Sequence, residues 1–334
     1  MILIISEISD LQVYWVTHFL NKWRIPHKLF CPSRFPQELS QQTYLSDRSS
    51  SELWILDDGS ALNPGDVTSV WYRKPSIPQL SPDLGASEKE YALNECRQAL
   101  FGLYNCISNA FWVSNVHKIR IAANKPMQLG LAKSFGLKIP ETLITNKPDE
   151  AKRFAARHPG GIIYKSLSDG ILYTREGPWQ EPFVQGEIYS SRLDSLSDDQ
   201  LLYVRTCPCL LQEYIEKTYE VRVTVVHDEV FSVAIHSQES VTSQIDWRKA
   251  NMKHIRHSKH KLPRGISDKC VSLTSQLGLQ FGAIDLIYTP HGDYVFLEIN
   301  PNGQFGWLEE TIGPCISEKI AAILANPPNT RSLN

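Results

Sequence analysis

Asp285 and Glu298 sit in two apolar runs, Phe281–Tyr288 and Asp293–Ile299, joined by the turn sequence Pro290-His291-Gly292-Asp293. Runs of this kind around a glycine-containing turn read as two antiparallel strands. Pairing symmetric about the turn sets Asp285 opposite Glu298 and Ile287 opposite Phe296. Like charges directly opposed in a sheet are destabilising. Two acids among Ala283, Ile284, Leu286, Phe296 and Leu297 therefore call for a compensating charge. A hard divalent cation such as Mg²⁺ supplies one, because it takes oxygen ligands and commonly combines one or two carboxylates with phosphate oxygens. The two-residue period of a strand puts Asn300 on the face of Glu298, where its amide oxygen adds a neutral ligand. The competing reading is a solvent-facing pair that merely solubilises the hairpin.

Other residue types along the chain suit a phosphate or a nucleotide. Lys165 ends the apolar strand Ile162-Ile163-Tyr164-Lys165 and is followed by the small, polar Ser166-Leu167-Ser168-Asp169-Gly170. Loop amides and an ammonium together make an anion cradle; taken alone, the same lysine reads first as a snorkelling strand-edge residue. Gln212-Glu213-Tyr214-Ile215 leaves the apolar Leu210-Leu211, and such a strand end offers backbone N–H and C=O groups to an adenine edge. Glu220 and Arg222 share one strand face, either as an ion pair of little value or with Arg222 free to meet phosphate bidentately. Asp246-Trp247-Arg248 opens a basic stretch with Lys249, Lys253, Arg256 and Lys259, in which His254, His257 and His260 recur at every third position. Metal ligation by these histidines competes with an exposed, mobile basic segment that attracts an acidic substrate or covers a reaction site.

These residues need a scaffold. The 334 residues, 42% hydrophobic and 21% charged with a formal net charge of −2, describe an ordinary globular protein without a global field for nucleic acid or anionic membrane. Neither a secretory signal nor a membrane span is read from the pattern. Seven cysteines without a CxxC pair suggest neither a disulfide framework nor a zinc site, hence a reducing, cytoplasmic setting. Residues 1–115 read as a small open α/β domain, with strands at Met1–Ser6, Lys28–Cys31, Ser51–Leu56 and Ser69–Arg73, and helices at Val13–Trp23 and Glu88–Ile107. In residues 116–208, Asn124 caps a helix that runs to Phe135. Strands follow at Ile139–Thr145 and Ile162–Ser166, and Gly177–Leu193 has the character of an inserted β-hairpin. Residues 209–326 carry the strands Leu210–Ile215, Tyr219–Val226 and Val230–Ser237, an irregular Gln238–Pro263, the helix Ser267–Leu277, the carboxylate hairpin and a last helix Ser317–Ala325. Residues 327–334 read as a frayed tail.

Taken in order, a strand lysine, a hinge with an adjacent acid, a strand arginine and a late Asp…Glu-x-Asn resemble the ATP-grasp superfamily. Within it, NKPMQLGLAKSFGLKIPETLITN (124–146), IIYKSLSDG (162–170), LQEYIEKTYEVRVTVVHDEVFSVAIHSQ (211–238), DWRKAN (246–251) and FGAIDLIYTPHGDYVFLEINPNGQFGWLE (281–309) look like the microviridin-type, or graspetide, peptide ligases. VWYRKP (70–75) resembles them too. The resemblance implies an α/β (α+β) ATP-grasp fold, with an N-terminal pre-ATP-grasp domain and two α+β subdomains enclosing ATP. It implies a ligase that activates Asp or Glu side chains of a ribosomal precursor peptide as acyl phosphates, then closes macrolactones with Ser or Thr, or macrolactams with Lys. By position, Lys125 and Lys165 would contact phosphates, and Gln212, Glu213, Tyr214 and Ile215 would form the adenine hinge. Lys217 and Glu220 would lie near ribose. Asp285, Glu298 and Asn300 would hold two Mg²⁺. Arg222 would steady the transferred phosphoryl group, and Arg248, with Asp246 beside it, would bind the substrate carboxylate. Arg73 would reach the same site. A leader segment would dock on Leu172–Leu193 and the neighbouring helix, and the enzyme would be a homodimer. Two departures stand out: a single glycine, Gly170, in the loop after Lys165, and Lys74 where a second arginine is expected. The alternatives are an ATP-grasp ligase that adds an amino acid to a small acid or protein tail, and a non-catalytic ATP-binding regulator.

Overall fold

The computed structural model describes residues 1–168, 170–174, 183–249 and 255–328. The N-terminal unit opens with β1 (Ile2–Ile5), α1 (Leu11–Lys22), β2 (His27–Phe30), β3 (Ser40–Leu45), β4 (Ser50–Ile55), β5 (Ala61–Leu62), β6 (Ser69–Tyr72), α2 (Ala86–Cys106) and β7 (Phe111–Val113). Four of these strands form a parallel sheet in the order β2-β1-β6-β7. All four residues of β1 are buried, as a strand covered on both faces requires. Asp10 caps α1 by accepting from the Gln12 amide at 2.9 Å. The strand expected at Ser51–Leu56 is present as β4 but belongs to a separate antiparallel meander, β3-β4-β5. Its partner β3 (SQQTYL) is almost wholly exposed and lacks the apolar alternation that marks a strand.

The middle of the chain contains α3 (Val116–Ala122), α4 (Lys125–Ser134), β8 (Thr142–Thr145), α5 (Pro148–Arg157), β9 (Ile162–Lys165), β10 (Ile171–Thr174), β11 (Phe183–Glu187), β12 (Ser191–Leu193), α6 (Asp198–Val204) and β13 (Cys209–Glu213). Asn124 caps α4 as expected, its side chain accepting from the Met127 amide at 3.0 Å. Strands β12, β9, β13 and β8 form one sheet in that order over a small core that includes Phe154, Ile162, Val204 and Leu211. The hairpin expected over Gly177–Leu193 starts earlier, as β10 paired with β11, and residues 175–182 between them lie outside the described residues. Ser191–Leu193, read as part of that hairpin, instead pairs with β9.

The C-terminal unit contains β14 (Tyr219–Val226), β15 (Glu229–Ile235), β16 (His257–Lys259), α7 (Arg264–Gln276), β17 (Phe281–Tyr288), β18 (Tyr294–Asn300), α8 (Gly306–Ile312) and α9 (Cys315–Ala325). Its antiparallel sheet runs β16-β15-β14-β17-β18. The stretch read as irregular thus supplies an edge strand, β16. His257 packs on Trp307 and His260 pairs with the Tyr294 hydroxyl, so these two histidines do not converge on a common point; His254 lies outside the described residues. Asp285 does face Glu298, but the register slips beyond that pair, setting Leu286 against Phe296 and Ile287 against Val295. The expected Ile287–Phe296 pairing is therefore wrong by one residue. The cause is a bulge at Leu297: the Phe296 amide leaves the ladder and donates to the Lys138 carbonyl at 2.8 Å.

The largest core does not respect the division into units. Ile4, Val16, Leu20 and Trp71 of the first 115 residues pack in one cluster with Val226, Phe281, Phe305 and Ile320. Gly306 makes this contact possible, since a Cβ there would lie 1.8 Å from the Trp15 ring. Among the described residues no helix is long and apolar enough to cross a membrane.

Candidate active site

The cross-strand registers of β14, β17 and β18 place Arg222, Asp285 and Glu298 side by side in one row. Arg222 Nη1 donates to Asp285 Oδ2 at 3.2 Å. Burial pushes the Asp285 carboxyl up to about 6; Arg222 opposes this and Glu298 adds to it. Burial acts on Glu298 in the same sense, yet Lys125 and Lys165, with help from Arg248 and Arg222, hold its carboxyl below the usual range. The row is thus one ionised carboxylate beside one that ionises reluctantly. The bulge turns Leu297 onto the same wall, where it lines the cleft next to Glu298. Asn300 ends β18 opposite Ala283, exposed, its side-chain oxygen accepting from the Asn302 amide at 3.0 Å; it lies beyond the residues that line the cleft.

Lysines from the middle unit face this wall. Lys125, in the first turn of α4, donates to the carbonyls of Ser166 (2.6 Å) and Ser168 (3.0 Å), and stands 3.7 Å from Glu298 Oε2. One ammonium therefore ties the loop after β9 to the carboxylate wall. Lys165 lines the cleft; burial pulls its ammonium down, while Glu298 and Asp285 support the charged form. The loop's one glycine is needed where it stands. Gly170 has φ +77°, and a Cβ there would lie 2.8 Å from the Ile188 carbonyl. Asp169 lies outside the described residues.

The floor is the end of β13. Gln212 is buried, donates to Thr142 Oγ1 at 3.0 Å and leaves its own Oε1 without a partner. Glu213 accepts from the Glu141 amide at 2.9 Å, and the Tyr214 amide bonds to the Gly161 carbonyl at 3.1 Å. The Tyr214 ring carries the Arg192 guanidinium 4.2 Å above it. Glu220 is buried in an ion pair with Lys217 and also accepts from Ser237 Oγ at 3.0 Å. Gln212, Glu213, Tyr214, Ile215, Lys217 and Glu220 all line the cleft.

Asp246 is buried and grips Arg248 with both oxygens, at 2.9 and 2.7 Å, while the Ser190 amide adds a third bond at 3.1 Å. Burial opposes ionisation, but the Arg248 bonds outweigh it and hold Asp246 at about 2. The carboxylate orients the guanidinium, which stays half-exposed at the cleft. Arg73 is placed differently from the expectation. It is 1% exposed and spent on the carbonyls of Asn302 and Gly303, on Gln304 Oε1 (3.1 Å) and on Asp10 (3.3 Å). It does not line the cleft; it fixes the loop that follows Asn300.

Three contributors escaped the sequence reading. Gln128 on α4 donates to the Ile299 carbonyl (2.8 Å) and accepts from the Ile299 amide (3.1 Å), closing the edge of β18 beside Glu298. Trp247 lies 5.4 Å below the Arg222 guanidinium, a cation–π contact in a desolvated wall. Leu297 lines the cleft beside Glu298. None of the three has a side chain whose type announces a site.

The donor set fits Mg²⁺ held jointly with phosphate. Arg222 satisfies one oxygen of Asp285, Glu298 faces the opposed lysines, and the buried Arg222 Nε has no partner. Among the described residues no group of three or more His, Cys, Asp or Glu could enclose an ion unaided, so the remaining ligands must arrive with the nucleotide. Lys125, Lys165, Arg222 and Arg248 balance Asp285, Glu298, Glu220 and Asp246 in formal charge, which again favours a nucleotide arriving with its cations.

Residues 1–120 match the MvdD pre-ATP-grasp domain family, and residues 191–324 the RimK-like ATP-grasp domain family. No curated protein matches the chain. The macrocyclase MdnC from Microcystis aeruginosa MRC, solved with the precursor peptide MdnA, superposes with a TM-score of 0.83 at 32% identity, over 98% of this chain and 100% of that one. A Chryseobacterium gregarium RiPP-associated ATP-grasp ligase, solved with ADP and a leader and core peptide, gives 0.86 at 28% identity over 98% and 97%. The macrocyclase MdnB from the same Microcystis strain gives 0.79 at 30% identity over 97% and 98%. With both domains matched in order and full-length likeness to these macrocyclases, the chain belongs to the microviridin-type, or graspetide, family of ATP-grasp ligases.

Proposed function

We propose that this ligase uses ATP to phosphorylate an Asp or Glu side-chain carboxylate of a ribosomal precursor peptide. A Ser or Thr hydroxyl, or a Lys amine, of the same peptide then attacks the acyl carbon. ADP leaves in the first step and phosphate in the second, closing a macrolactone or macrolactam with loss of one water per ring. The observation that carries this reading is the pair Asp285–Glu298 on one wall of a cleft, with Arg222 behind it on the adjoining strand bonded to Asp285, Lys125 and Lys165 facing it, and a strand-end hinge as its floor.

Each residue has a part consistent with its surroundings. The backbone of Glu213 and Ile215 would meet the adenine edge, Gln212 would offer its unpartnered oxygen beside them, and the Lys217–Glu220 pair would lie at the ribose. Lys125 and Lys165 would hold phosphates. Asp285, Glu298 and Asn300 would carry the Mg²⁺ ions, two in number; the bound cation supplies neutralisation of charge at the phosphate oxygens. Arg222, backed by Trp247 and fixed by Asp285, would stabilise charge on the transferred phosphoryl group in a site poor in water. Arg248, oriented by Asp246, would receive the substrate carboxylate. The leader would contact the hairpin within 172–193 and α6, where Leu202 and Tyr203 stand 65% and 68% exposed.

The test uses a short Thr/Ser/Lys- and Asp/Glu-rich peptide encoded beside the gene. Enzyme, Mg²⁺, ATP and this peptide should release ADP and remove one water per ring. ADP release with the peptide mass unchanged, and no acyl phosphate trapped by hydroxylamine, overturns the reading. Glu298→Gln keeps the size and removes the charge; turnover should fall by several orders of magnitude, as expected for lost electrostatic stabilisation, with the circular dichroism spectrum unchanged. Retained turnover would end the metal assignment.

A further inference from the structure

Arg73 is the most deeply buried charged residue among the described ones, at 1% exposure. Its backbone amide extends the sheet beyond β6 by donating to the Ile5 carbonyl at 2.9 Å. Burial pulls its guanidinium down to about 10, while Asp10, 3.3 Å away, supports the charge. A cation is kept in such surroundings only where its N–H groups are used. They go to one short segment far along the chain: the carbonyls of Asn302 and Gly303, and Gln304 Oε1. Gln12, buried on α1, takes the Phe305 amide at 3.0 Å. Side chains of the N-terminal unit thus hold residues 302–305.

That segment begins where β18 ends. The Gly303 amide donates back to the Asn300 carbonyl at 3.3 Å, and the Asn302 amide donates to Asn300 Oδ1 at 3.0 Å. The turn lies flat on β17, where a Cβ at Gly303 would stand 2.3 Å from the Ala283 Cβ. Arg73 keeps it there by two successive carbonyls. The consequence falls on the Asn300 side chain, two residues from Glu298 along the same strand. An asparagine amide can turn either its oxygen or its NH2 to a cation. The Asn302 N–H decides between them, since a donor can face only the oxygen, and that oxygen keeps a second lone pair.

Resting on the metal assignment proposed above, we infer that Arg73 is a positioning residue for the Mg²⁺ site: by clamping residues 302–304 it keeps the Asn300 oxygen, and not its NH2, turned to the cation. The N-terminal unit thereby completes the metal end of the ATP site, although Arg73 itself does not line the cleft. With the clamp released, the turn lifts from β17, the Asn302 N–H leaves Asn300 Oδ1, and the amide is free to rotate.

The test reads metal affinity directly. Mn²⁺ takes the same oxygen ligands as Mg²⁺, and electron paramagnetic resonance of the free ion gives its Kd for the full-length enzyme saturated with ADP. Asn300→Ala and Arg73→Met should each raise this Kd about tenfold, the effect of a disturbed ligand or its support, and together should raise it no further. Asn300→Asp supplies the decisive background. A carboxylate presents an oxygen whichever way it turns, so adding Arg73→Met to Asn300→Asp should change the Kd less than about twofold. Should Arg73→Met fold poorly, Arg73→Lys makes the same comparison, because it keeps the charge beside Asp10 and loses the planar fork. Alone it should raise the Kd at least about threefold. Equal losses with and without Asn300→Asp would show that Arg73 only seals the core, and would overturn the inference. A Kd raised by Asn300→Ala but unmoved by both Arg73 variants also overturns it and leaves the metal assignment standing. A Kd unmoved by Asn300→Ala removes Asn300 from the metal site, and the role of the clamp falls with it. Wild type that binds Mn²⁺ and ADP yet closes no ring defeats the proposed reaction, while the comparison of Arg73 and Asn300, made without peptide, still upholds the clamp.

Discussion

Gln128 does for β18 what a neighbouring strand would do. Its amide reads both the N–H and the C=O of Ile299, and its Nε2 also reaches the Ala122 carbonyl at 2.6 Å. Glu298 precedes Ile299, so this side chain sets where the carboxylate points. Replacing Gln128 with Leu keeps the volume but strips three buried partners. Each buried backbone group left unpaired costs on the order of 1–3 kcal/mol, so urea denaturation should show a loss of about 3 kcal/mol or more. The second consequence is catalytic. A carboxylate displaced by a fraction of an ångström lowers turnover on the order of ten- to a hundredfold, and the KM for Mg²⁺ should rise with it. Stability lost with the Mg²⁺ dependence of turnover unchanged would show that Gln128 only seals the core. No charge or motif marks this residue: a glutamine in a helix interior reads as a surface position, and only the partner strand, far away in sequence, reveals its use.

What was legible in the sequence depends on how local each element's signal is. Asn124 announces its cap because the whole interaction lies within one turn, and Asp285 meets Glu298 because the hairpin turn lies close by. The pairing then fails at Phe296, because the bulge at Leu297 puts an extra residue into β18 that the turn does not announce. β3 and β16 were missed because their residues are polar and gain their pairing from β4 and β15. Arg73 was placed in the site by the family resemblance of VWYRKP, whereas its partners lie on the loop after β18. The same non-local logic governs the start of α8. Gly306 is flush against Trp15 of α1, so Gly306→Ala forces the helices apart or the indole aside. Overpacking of this kind costs about 1–3 kcal/mol. Adding Trp15→Phe should recover part of that loss, giving a double-mutant coupling of opposite sign to the single effects. Strict additivity would show that the two elements do not constrain each other.

At the scale of the whole molecule, the two matched domains share one packed core. Ile2, Val16 and Trp71 share a continuous core with Val226, Ala283, Phe305 and Ile320, so removing the N-terminal residues would expose the back of the sheet that carries Asp285 and Glu298. The middle sheet differs: the buried part of its core is a handful of side chains around Phe154 and Leu211. Lys125 links it to the carboxylate wall through contacts that a nucleotide would reinforce. Regions with few buried apolar contacts open at lower free energy than the global unfolding. Native-state hydrogen exchange should therefore show β1 and β6 protected to the same free energy as β14 and β17, while β8, β9 and β13 open earlier. Mg·ADP should slow exchange in β9 and β13 above all, because bound nucleotide stabilises only the closed arrangement, and by an amount that grows with its free concentration. If β1 exchanged well before β17, the N-terminal unit would be an independent domain and the shared core would contribute little. If Mg·ADP protected all sheets equally, the middle unit would not be the part that opens to admit the nucleotide, and the cleft would have to fill from its other side, past Trp247.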